Sequence, residues 1–161
     1  MRRIAALAAA TSLALGACSG DDGAGDADLP DLTMAPLTAG EAPLELAALT
    51  GPAVVNLWAT WCGPCRRELP AFQEVSEARP DVRFIGIDIG EDAADARDYL
   101  DELGVTFDQF VDEDGGLTDA LGAASLPVTL VVGEDGSVAT KHLGPMTADE
   151  LDDAIDALAS S

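Results

Sequence analysis

Two cysteines separated by two residues, Cys62 and Cys65, are the side chains of this sequence best suited to covalent chemistry. They lie where an apolar, strand-like run ends and a helical pattern begins. One turn of helix brings the two Cβ atoms within bonding distance, so the pair can close a small disulfide ring. Cys62 is at the N-terminal end of that helix, where unpaired N–H groups and the helix dipole favour a thiolate. Arg66 could add to this effect, and we expect Cys65 to be the more shielded thiol.

Other uses of a cysteine pair fit the sequence less well. A zinc or iron–sulfur site needs four ligands, and the only other Cys and His residues are Cys18 and His142. A structural disulfide that closes so short a ring constrains little of the unfolded chain. The spacing therefore favours dithiol–disulfide exchange, and we expect no metal and no cofactor.

The third cysteine, Cys18, belongs to a processing signal. A basic start, Met1-Arg2-Arg3, precedes an apolar run from Ile4 to Leu15. This run is shorter than the ~20 residues that span a bilayer and has the length of a secretory signal. Leu15-Gly16-Ala17-Cys18 resembles the lipobox of bacterial lipoproteins. We therefore predict a signal peptide over residues 1–17 and a lipid on Cys18 that anchors the protein at the outer face of the cell membrane. The alternative is a plain signal peptide with an incidental cysteine, and both place the protein outside the cytoplasm.

The charge balance narrows the choice of partners. The 161 residues include 8 Lys and Arg against 30 Asp and Glu, a formal charge of -22. Removal of residues 1–17 takes away two arginines and no acid, which leaves a charge of -24. So few cations exclude nucleic-acid binding and leave membrane association to the lipid.

Residues 18–31 are rich in Gly and Asp and predict a flexible acidic tether. A single globular domain is expected over residues 32–161.

Strands and helices alternate along this domain and must position the cysteines. An apolar run over Val54–Trp58 predicts a strand buried on both faces. The helix that follows begins near Pro64 and stops at Pro80, with an expected kink at Pro70. Further strands are predicted at 82–87, 107–111, 128–132 and 138–143, a strand pair within 32–49, and helices at 93–103, 117–121 and after the Thr147–Glu150 capping box. This order predicts an α/β fold of three layers around a central mixed sheet.

The sequence around the cysteines resembles a known superfamily. Asn56-Leu57-Trp58-Ala59-Thr60-Trp61-Cys62-Gly63-Pro64-Cys65, with Ser125-Leu126-Pro127-Val128-Thr129 further on, resembles the thioredoxin superfamily. The lipobox and Cys65-Arg66-Arg67-Glu68-Leu69-Pro70 are similar to its membrane-anchored, extracytoplasmic TlpA/ResA-like branch. The resemblance covers residues 32–161. It implies a thioredoxin fold with an added N-terminal β-hairpin and thiol-disulfide oxidoreductase activity toward other proteins.

The resemblance also assigns roles by position. It makes Cys62 the attacking thiolate and Cys65 the resolving thiol, joined by a Cys62–Cys65 disulfide when oxidised. Pro127 matches a cis-proline beside the dithiol, and Leu126 would offer backbone groups to an extended substrate peptide. Glu68 matches a buried acid of the branch. Because Glu68 lies three residues after Cys65, on the same helix face, it could take the resolving thiol's proton; the alternative is an ordinary exposed helix acid.

Four other residues are interpreted more simply. Asn56 stands where cytoplasmic thioredoxins carry a buried Asp, which shifts the role of buried base toward Glu68. Trp58 is interpreted as a core residue, and Trp61 as part of an exposed apolar rim that contacts substrate. His142 is interpreted as a surface residue without a role.

These features predict a monomeric enzyme that reduces disulfides of exported proteins, with cytochrome c maturation as one such task. An upstream membrane thiol-disulfide carrier would have to regenerate the dithiol, because the compartment is oxidising. Three alternatives stay open: a disulfide-forming oxidase, a peroxiredoxin-like thiol peroxidase and a copper-binding Sco-like module. The Thr60-Trp61-Cys62 spacing departs from the peroxidase loop, and the narrow cysteine spacing departs from the Sco pattern.

Overall fold

The computed structural model describes residues 27–90 and 92–159. The predicted signal peptide and Cys18 lie outside these residues. Strands in the described part are β1 (Ala27–Asp28), β2 (Thr33–Pro36), β3 (Leu44–Glu45), β4 (Ala53–Trp58), β5 (Arg83–Asp88), β6 (Asp108–Val111), β7 (Val128–Val132) and β8 (Ser137–Leu143). Helices there are α1 (Gly63–Ala78), α2 (Ala93–Leu103), α3 (Gly116–Ala120) and α4 (Ala148–Leu158). None of these helices is long and apolar enough to cross a membrane.

A mixed sheet in the order β1-β8-β7-β4-β5-β6-β2-β3 forms the centre of the molecule. Its middle strand, β4, pairs in parallel with β5 and antiparallel with β7. Every residue of β4 is buried, because helices cover both faces of the sheet. The α/β fold with a central mixed sheet is therefore confirmed.

The two faces of β4 have different coverings, since successive side chains of a strand point to opposite faces. Val55 and Leu57 join a core cluster that includes Leu117 of α3. Val54 and Trp58 join the clusters formed with α1, α2 and α4. Asn56 shares this second face, so the strand presents one amide toward α1.

The first helix begins where the apolar strand ends. Cys62 is the N-cap of α1, and Pro64 occupies its first turn, where a proline's missing N–H costs nothing. The helix continues through Pro70 and ends at Ala78. Its position therefore holds the cysteine pair at the carboxyl end of β4.

The N-terminal part of the domain forms the predicted hairpin. β2 and β3 pair antiparallel, and β2 also pairs with β6 at the far edge of the sheet. The sequence assigned residues 27–31 to the tether, but β1 pairs with the start of β8 and Leu29 is only 5% exposed. Packing thus begins earlier than Leu32, because Leu29 has apolar surface to bury and β8 offers an unpaired edge.

Candidate active site

A disulfide joins Cys62 and Cys65 at the junction of β4 and α1, with their Cα atoms 5.3 Å apart. The Cys65 N–H donates to Cys62 Sγ at 3.2 Å, so the helix terminus directs a donor at the sulfur predicted to attack. Cys65 is fully buried and Cys62 is 4% exposed. Cys62 is therefore the more exposed residue of the pair, as its position at the helix start predicted.

The loop before β7 borders the cysteine pair. The Leu126–Pro127 peptide bond is cis, as the resemblance implied. Leu126 is half-buried against the core cluster that contains both cysteines. The Pro127 carbonyl accepts a hydrogen bond from the Gly144 N–H at 2.9 Å, which ties this loop to the end of β8.

Two large apolar side chains remain in solvent among the described residues, Trp61 at 66% exposure and Leu143 at 60%. Trp61 precedes Cys62, and Leu143 pairs with Val128, the residue after Pro127. Both therefore lie at the end of the sheet that holds the disulfide. The sequence predicted an exposed Trp61 but missed Leu143, because only the β7–β8 register places it there.

Glu68 is buried behind the cysteines, with only 3% of its surface exposed. Its Oε2 accepts a hydrogen bond from Asn56 Nδ2 at 2.9 Å, and its Oε1 accepts one from the Met146 N–H at 2.7 Å. Burial raises the pKa of this carboxyl from 4.5 to about 7, although the hydrogen bonds from Met146 and Asn56 and the charge of His142 oppose the rise. The alternative of an ordinary exposed helix acid is therefore wrong.

Asn56 connects the carboxyl of Glu68 to the sheet. Its amide donates to Glu68 and also to Thr129 Oγ1 at 3.1 Å on the neighbouring strand. Its Oδ1 has no hydrogen-bond partner within the described residues. Both amide hydrogens of Asn56 are thus used in hydrogen bonds. This orientation of the amide stabilises the carboxylate form of Glu68.

Trp58 is a core residue, as predicted from its place in the strand. It is fully buried, and its Nε1 donates to Gln109 Oε1 at 3.0 Å. Gln109 lies over Gly86, where a Cβ would collide with the Gln109 amide. A glycine on β5 therefore makes room for the acceptor that satisfies the buried indole.

Arg66, which the sequence suggested as a further support for a Cys62 thiolate, contacts α2. Its guanidinium lies over the Tyr99 ring, 5.5 Å from the centroid, and forms an ion pair with Glu102. Tyr99 in turn stacks on Trp58, with ring centroids 5.6 Å apart. These contacts hold the Arg66 side chain against α2. Arg66 therefore helps to join α1 to α2.

Comparison with known proteins assigns the chain to a family. The Redoxin family matches residues 24–158, a span that includes every described strand and helix. This chain is a member of the redoxin family.

The relatives of this redoxin include thiol-disulfide oxidoreductases. Thiol-disulfide oxidoreductase ResA of Bacillus subtilis is 31% identical over 113 residues, which are 68% of this chain and 63% of the relative. The first curated relatives, all named ResA, are matched over 57% to 63% of their length. The resemblance to the TlpA/ResA-like branch of the thioredoxin superfamily is thereby confirmed.

Solved structures share the fold. A secreted disulfide oxidoreductase of Mycobacterium tuberculosis superimposes with a TM-score of 0.69 and 27% identity, covering 80% of this chain and 96% of that one. A DsbF homologue from Corynebacterium diphtheriae gives a TM-score of 0.72 and 26% identity, covering 83% and 87%. The thioredoxin-like fold predicted for this redoxin is therefore confirmed.

His142 is closer to the site than its surface interpretation suggested. It is half-buried and pairs across the sheet with Thr129. Its Nε2 lies 3.3 Å from the Pro145 carbonyl oxygen, and its charge lowers the pKa of Glu68. Only the register of β8 on β7 could have indicated this position.

Among residues 27–90 and 92–159, no three His, Cys, Asp or Glu side chains gather as a metal site would require.

Proposed function

We propose that this redoxin is an extracytoplasmic thiol-disulfide oxidoreductase that reduces disulfides of exported proteins. The observation that carries the proposal is the Cys62–Cys65 disulfide at a helix N-terminus with a buried carboxyl, Glu68, one turn further along the same helix. This arrangement supplies a nucleophile, a resolving thiol and a proton acceptor within one element.

The reaction begins from the reduced dithiol. The Cys62 thiolate attacks one sulfur of the substrate disulfide, which forms a mixed disulfide and releases the other substrate sulfur as a thiolate. Cys65 then loses its proton, attacks Cys62 Sγ and releases the second substrate thiolate. Two electrons leave the dithiol, and the protein ends with the Cys62–Cys65 disulfide.

The surroundings of the two sulfurs support this division of roles. Cys62 is the more exposed residue of the pair, and the Cys65 N–H that reaches its sulfur at 3.2 Å would stabilise a thiolate there. Cys65 has no exposed surface. A substrate can therefore reach Cys62 first, and Cys65 reacts only within the protein.

Glu68 is the group proposed to receive the Cys65 proton. Burial of a thiol raises its pKa and makes a nearby base necessary. A carboxyl with a pKa of about 7 has comparable populations of its two forms at neutral pH, so it can both accept and release a proton there. An exposed glutamate would stay ionised and would be a weaker base.

The substrate surface proposed is the apolar rim, which consists of Trp61, Leu126, Pro127 and Leu143. Its two exposed side chains, Trp61 and Leu143, lie at the end of the sheet that holds the disulfide, and its cis-proline loop lies at the start of β7. An extended peptide could pair with the backbone at Leu126 while its apolar side chains cover Trp61 and Leu143. Such contacts would hold a substrate cystine against Cys62.

The place of action is proposed from the N-terminal sequence. Residues 1–17 would direct export, a lipid on Cys18 would anchor the chain, and the following acidic segment would tether the domain to the outer face of the membrane. The secreted mycobacterial relative supports action outside the cytoplasm. A membrane thiol-disulfide carrier would return electrons to the dithiol, and apocytochromes c are one class of exported substrate to test.

Trapping of the mixed disulfide tests this function. A Cys65→Ser variant lacks the resolving thiol, so it should accumulate covalent complexes with exported proteins that disappear on a reducing gel. The matched control, Cys62→Ser, keeps Cys65 but should trap nothing, because Cys65 is buried. If Cys65→Ser forms no complexes, or if both variants trap the same proteins, the proposed reaction is wrong.

A further inference from the structure

His142 lies on the same face of the sheet as the hydrogen bonds that hold Glu68. It pairs directly with Thr129 across β7 and β8, and paired residues project from the same face at about 5 Å. The Thr129 hydroxyl accepts from the Asn56 amide, which also donates to Glu68. The imidazole therefore stands at the solvent end of a polar row that leads to the buried carboxyl.

The loop after β8 fixes both groups. Because the Pro145 carbonyl can only accept, Nε2 of His142 must carry the hydrogen in its contact at 3.3 Å. The next residue, Met146, donates its N–H to Glu68 Oε1. Consecutive residues of one loop thus hold the imidazole and the carboxyl, and Nδ1 is the imidazole nitrogen left to accept a proton.

The proposed reaction places a proton on a buried group. Each time the dithiol is oxidised, Glu68 would receive a proton from Cys65, yet it is 3% exposed and both its oxygens are hydrogen-bonded inside the protein. That proton can return to Cys65 when the dithiol is regenerated, but exchange with solvent is needed for Glu68 to regain its carboxylate form while the protein is still oxidised. A half-buried imidazole is suited to this transfer, since histidine can gain and lose a proton near neutral pH.

We propose that His142 is the group through which Glu68 exchanges its proton with solvent. The inference rests on the proposed oxidoreductase function and adds a positioning residue to it. The Cys65 thiol proton passes to Glu68, from Glu68 to Nδ1 of His142, directly or through one water, and from the imidazolium to solvent. No electrons move in these steps, and Nε2 keeps its hydrogen and its bond to Pro145 throughout.

The charges around His142 agree with this role. The charge of His142 lowers the pKa of two carboxyl groups, Glu68 on α1 and Glu150 on α4. Glu150 Oε2 is already bound by the N–H and hydroxyl of Thr147, and Thr129 on β7 is uncharged. Lys141 belongs to the other face of β8, and its Nζ donates to the Leu121 carbonyl. Two carboxyl groups therefore lie within electrostatic range of the imidazole.

His142→Gln in the full chain tests the proposal. Glutamine can keep a donor for the Pro145 carbonyl, but it cannot titrate. Thr140→Asn is the matched control, because Thr140 is half-buried on the same face of β8, two residues from His142. Oxidation of the reduced protein by oxidised glutathione is followed by stopped flow from pH 5 to 9. We expect His142→Gln to slow the oxidation about tenfold near pH 7, added imidazole to restore part of the rate, and Thr140→Asn to match the wild type.

A second readout needs no substrate. In the oxidised chain labelled with ¹³C at the glutamate carboxyl carbons, the Glu68 signal, assigned by its loss in Glu68→Gln, should titrate at a higher pH in His142→Gln, because a neighbouring cation is lost. The double variant Glu68→Gln/His142→Gln should be no slower than Glu68→Gln alone. Equal rates and equal Glu68 titrations in wild type and His142→Gln would overturn the role of His142, whatever the outcome of the trapping experiment.

Discussion

Asn56 on β4 donates a hydrogen bond to Glu68 on α1, with Nδ2 and Oε2 2.9 Å apart inside the core. This bond joins the strand that ends at the cysteine pair to the helix that carries it. It also favours the charged form of Glu68 and so opposes the effect of burial on its pKa. The amide therefore helps to keep the pKa of the carboxyl at about 7. At neutral pH the carboxyl can then both accept and release a proton.

Asn56→Asp should disturb this balance without changing the volume of the side chain. The donor becomes a second carboxyl beside Glu68, and like charges raise the pKa of one of them. We expect the Glu68 pKa to move above about 7 and the free energy of unfolding at pH 8 to fall by about 2–3 kcal/mol. Carboxyl ¹³C titration and urea unfolding measure the two effects.

The control for this variant is Thr129→Val, which removes only the other partner of the Asn56 amide. Its Glu68 pKa should stay near the wild-type value. A Glu68 titration that is the same in Asn56→Asp and in wild type would show that the amide does not set the proton affinity of the carboxyl.

Stability should depend on pH through Glu68. Its pKa is 4.5 as an ordinary value and about 7 in the folded protein, so between these values the folded state binds more proton than the unfolded state. The free energy of unfolding therefore falls as pH rises through this window. The cost of ionising Glu68 is absent below pH 4.5 and complete above pH 7, where it reaches roughly 3 kcal/mol.

Glu68→Gln should remove this component. Relative to Glu68→Gln, the oxidised wild type should lose up to about 3 kcal/mol of stability between pH 4.5 and pH 7.5, as measured by urea unfolding. Glu74→Gln provides the matched control, because Glu74 is an exposed glutamate of the same helix. Parallel pH curves for the wild type and Glu68→Gln would refute the assignment of a raised pKa to Glu68.

The local part of the site could be predicted from the sequence, because spacing within one helix determines it. Cys62, Cys65 and Glu68 lie within two turns of α1, and periodicity alone places the last two on one face. The partners of Glu68 come from far along the chain. Asn56 is linked to Thr129 across 73 residues, and Met146 is 78 residues from Glu68.

Those distant partners depend on strand register, which no short motif encodes. One residue of slip between β7 and β8 would turn His142 to the other face of the sheet and would remove Leu143 from the side of Val128.

The early start of the domain also depends on contacts between distant parts of the chain. An acidic, glycine-rich composition predicted a tether up to residue 31, whereas Leu29 and the open edge of β8 determine where packing begins.

The exposed part of the apolar rim should matter for protein substrates more than for small ones. Leu143→Ser and Trp61→Ala each remove a large exposed side chain that a bound peptide would cover. We expect each to lower kcat/KM for a protein disulfide about tenfold, equivalent to ~1.4 kcal/mol. The rate with oxidised glutathione should change less than twofold, and Thr140→Asn again serves as the control on β8. Equal losses with both substrates would place these residues in the chemistry rather than in docking.

The redox equilibrium of the Cys62–Cys65 pair should distinguish a reductant from an oxidant. Gly63 and Pro64 lie between the cysteines, as in reducing thioredoxins, whose potential is near ~-270 mV, whereas oxidising and isomerising members lie at ~-180 mV or above. Equilibration with glutathione or dithiothreitol mixtures, read by thiol alkylation, should therefore give a value close to that of thioredoxin. Every ~30 mV toward the oxidising side corresponds to a tenfold smaller preference for the disulfide form of this protein. A potential above ~-200 mV would instead favour disulfide formation in exported proteins and would reverse the proposed direction of electron flow. The trapping of mixed disulfides by Cys65→Ser would still be expected.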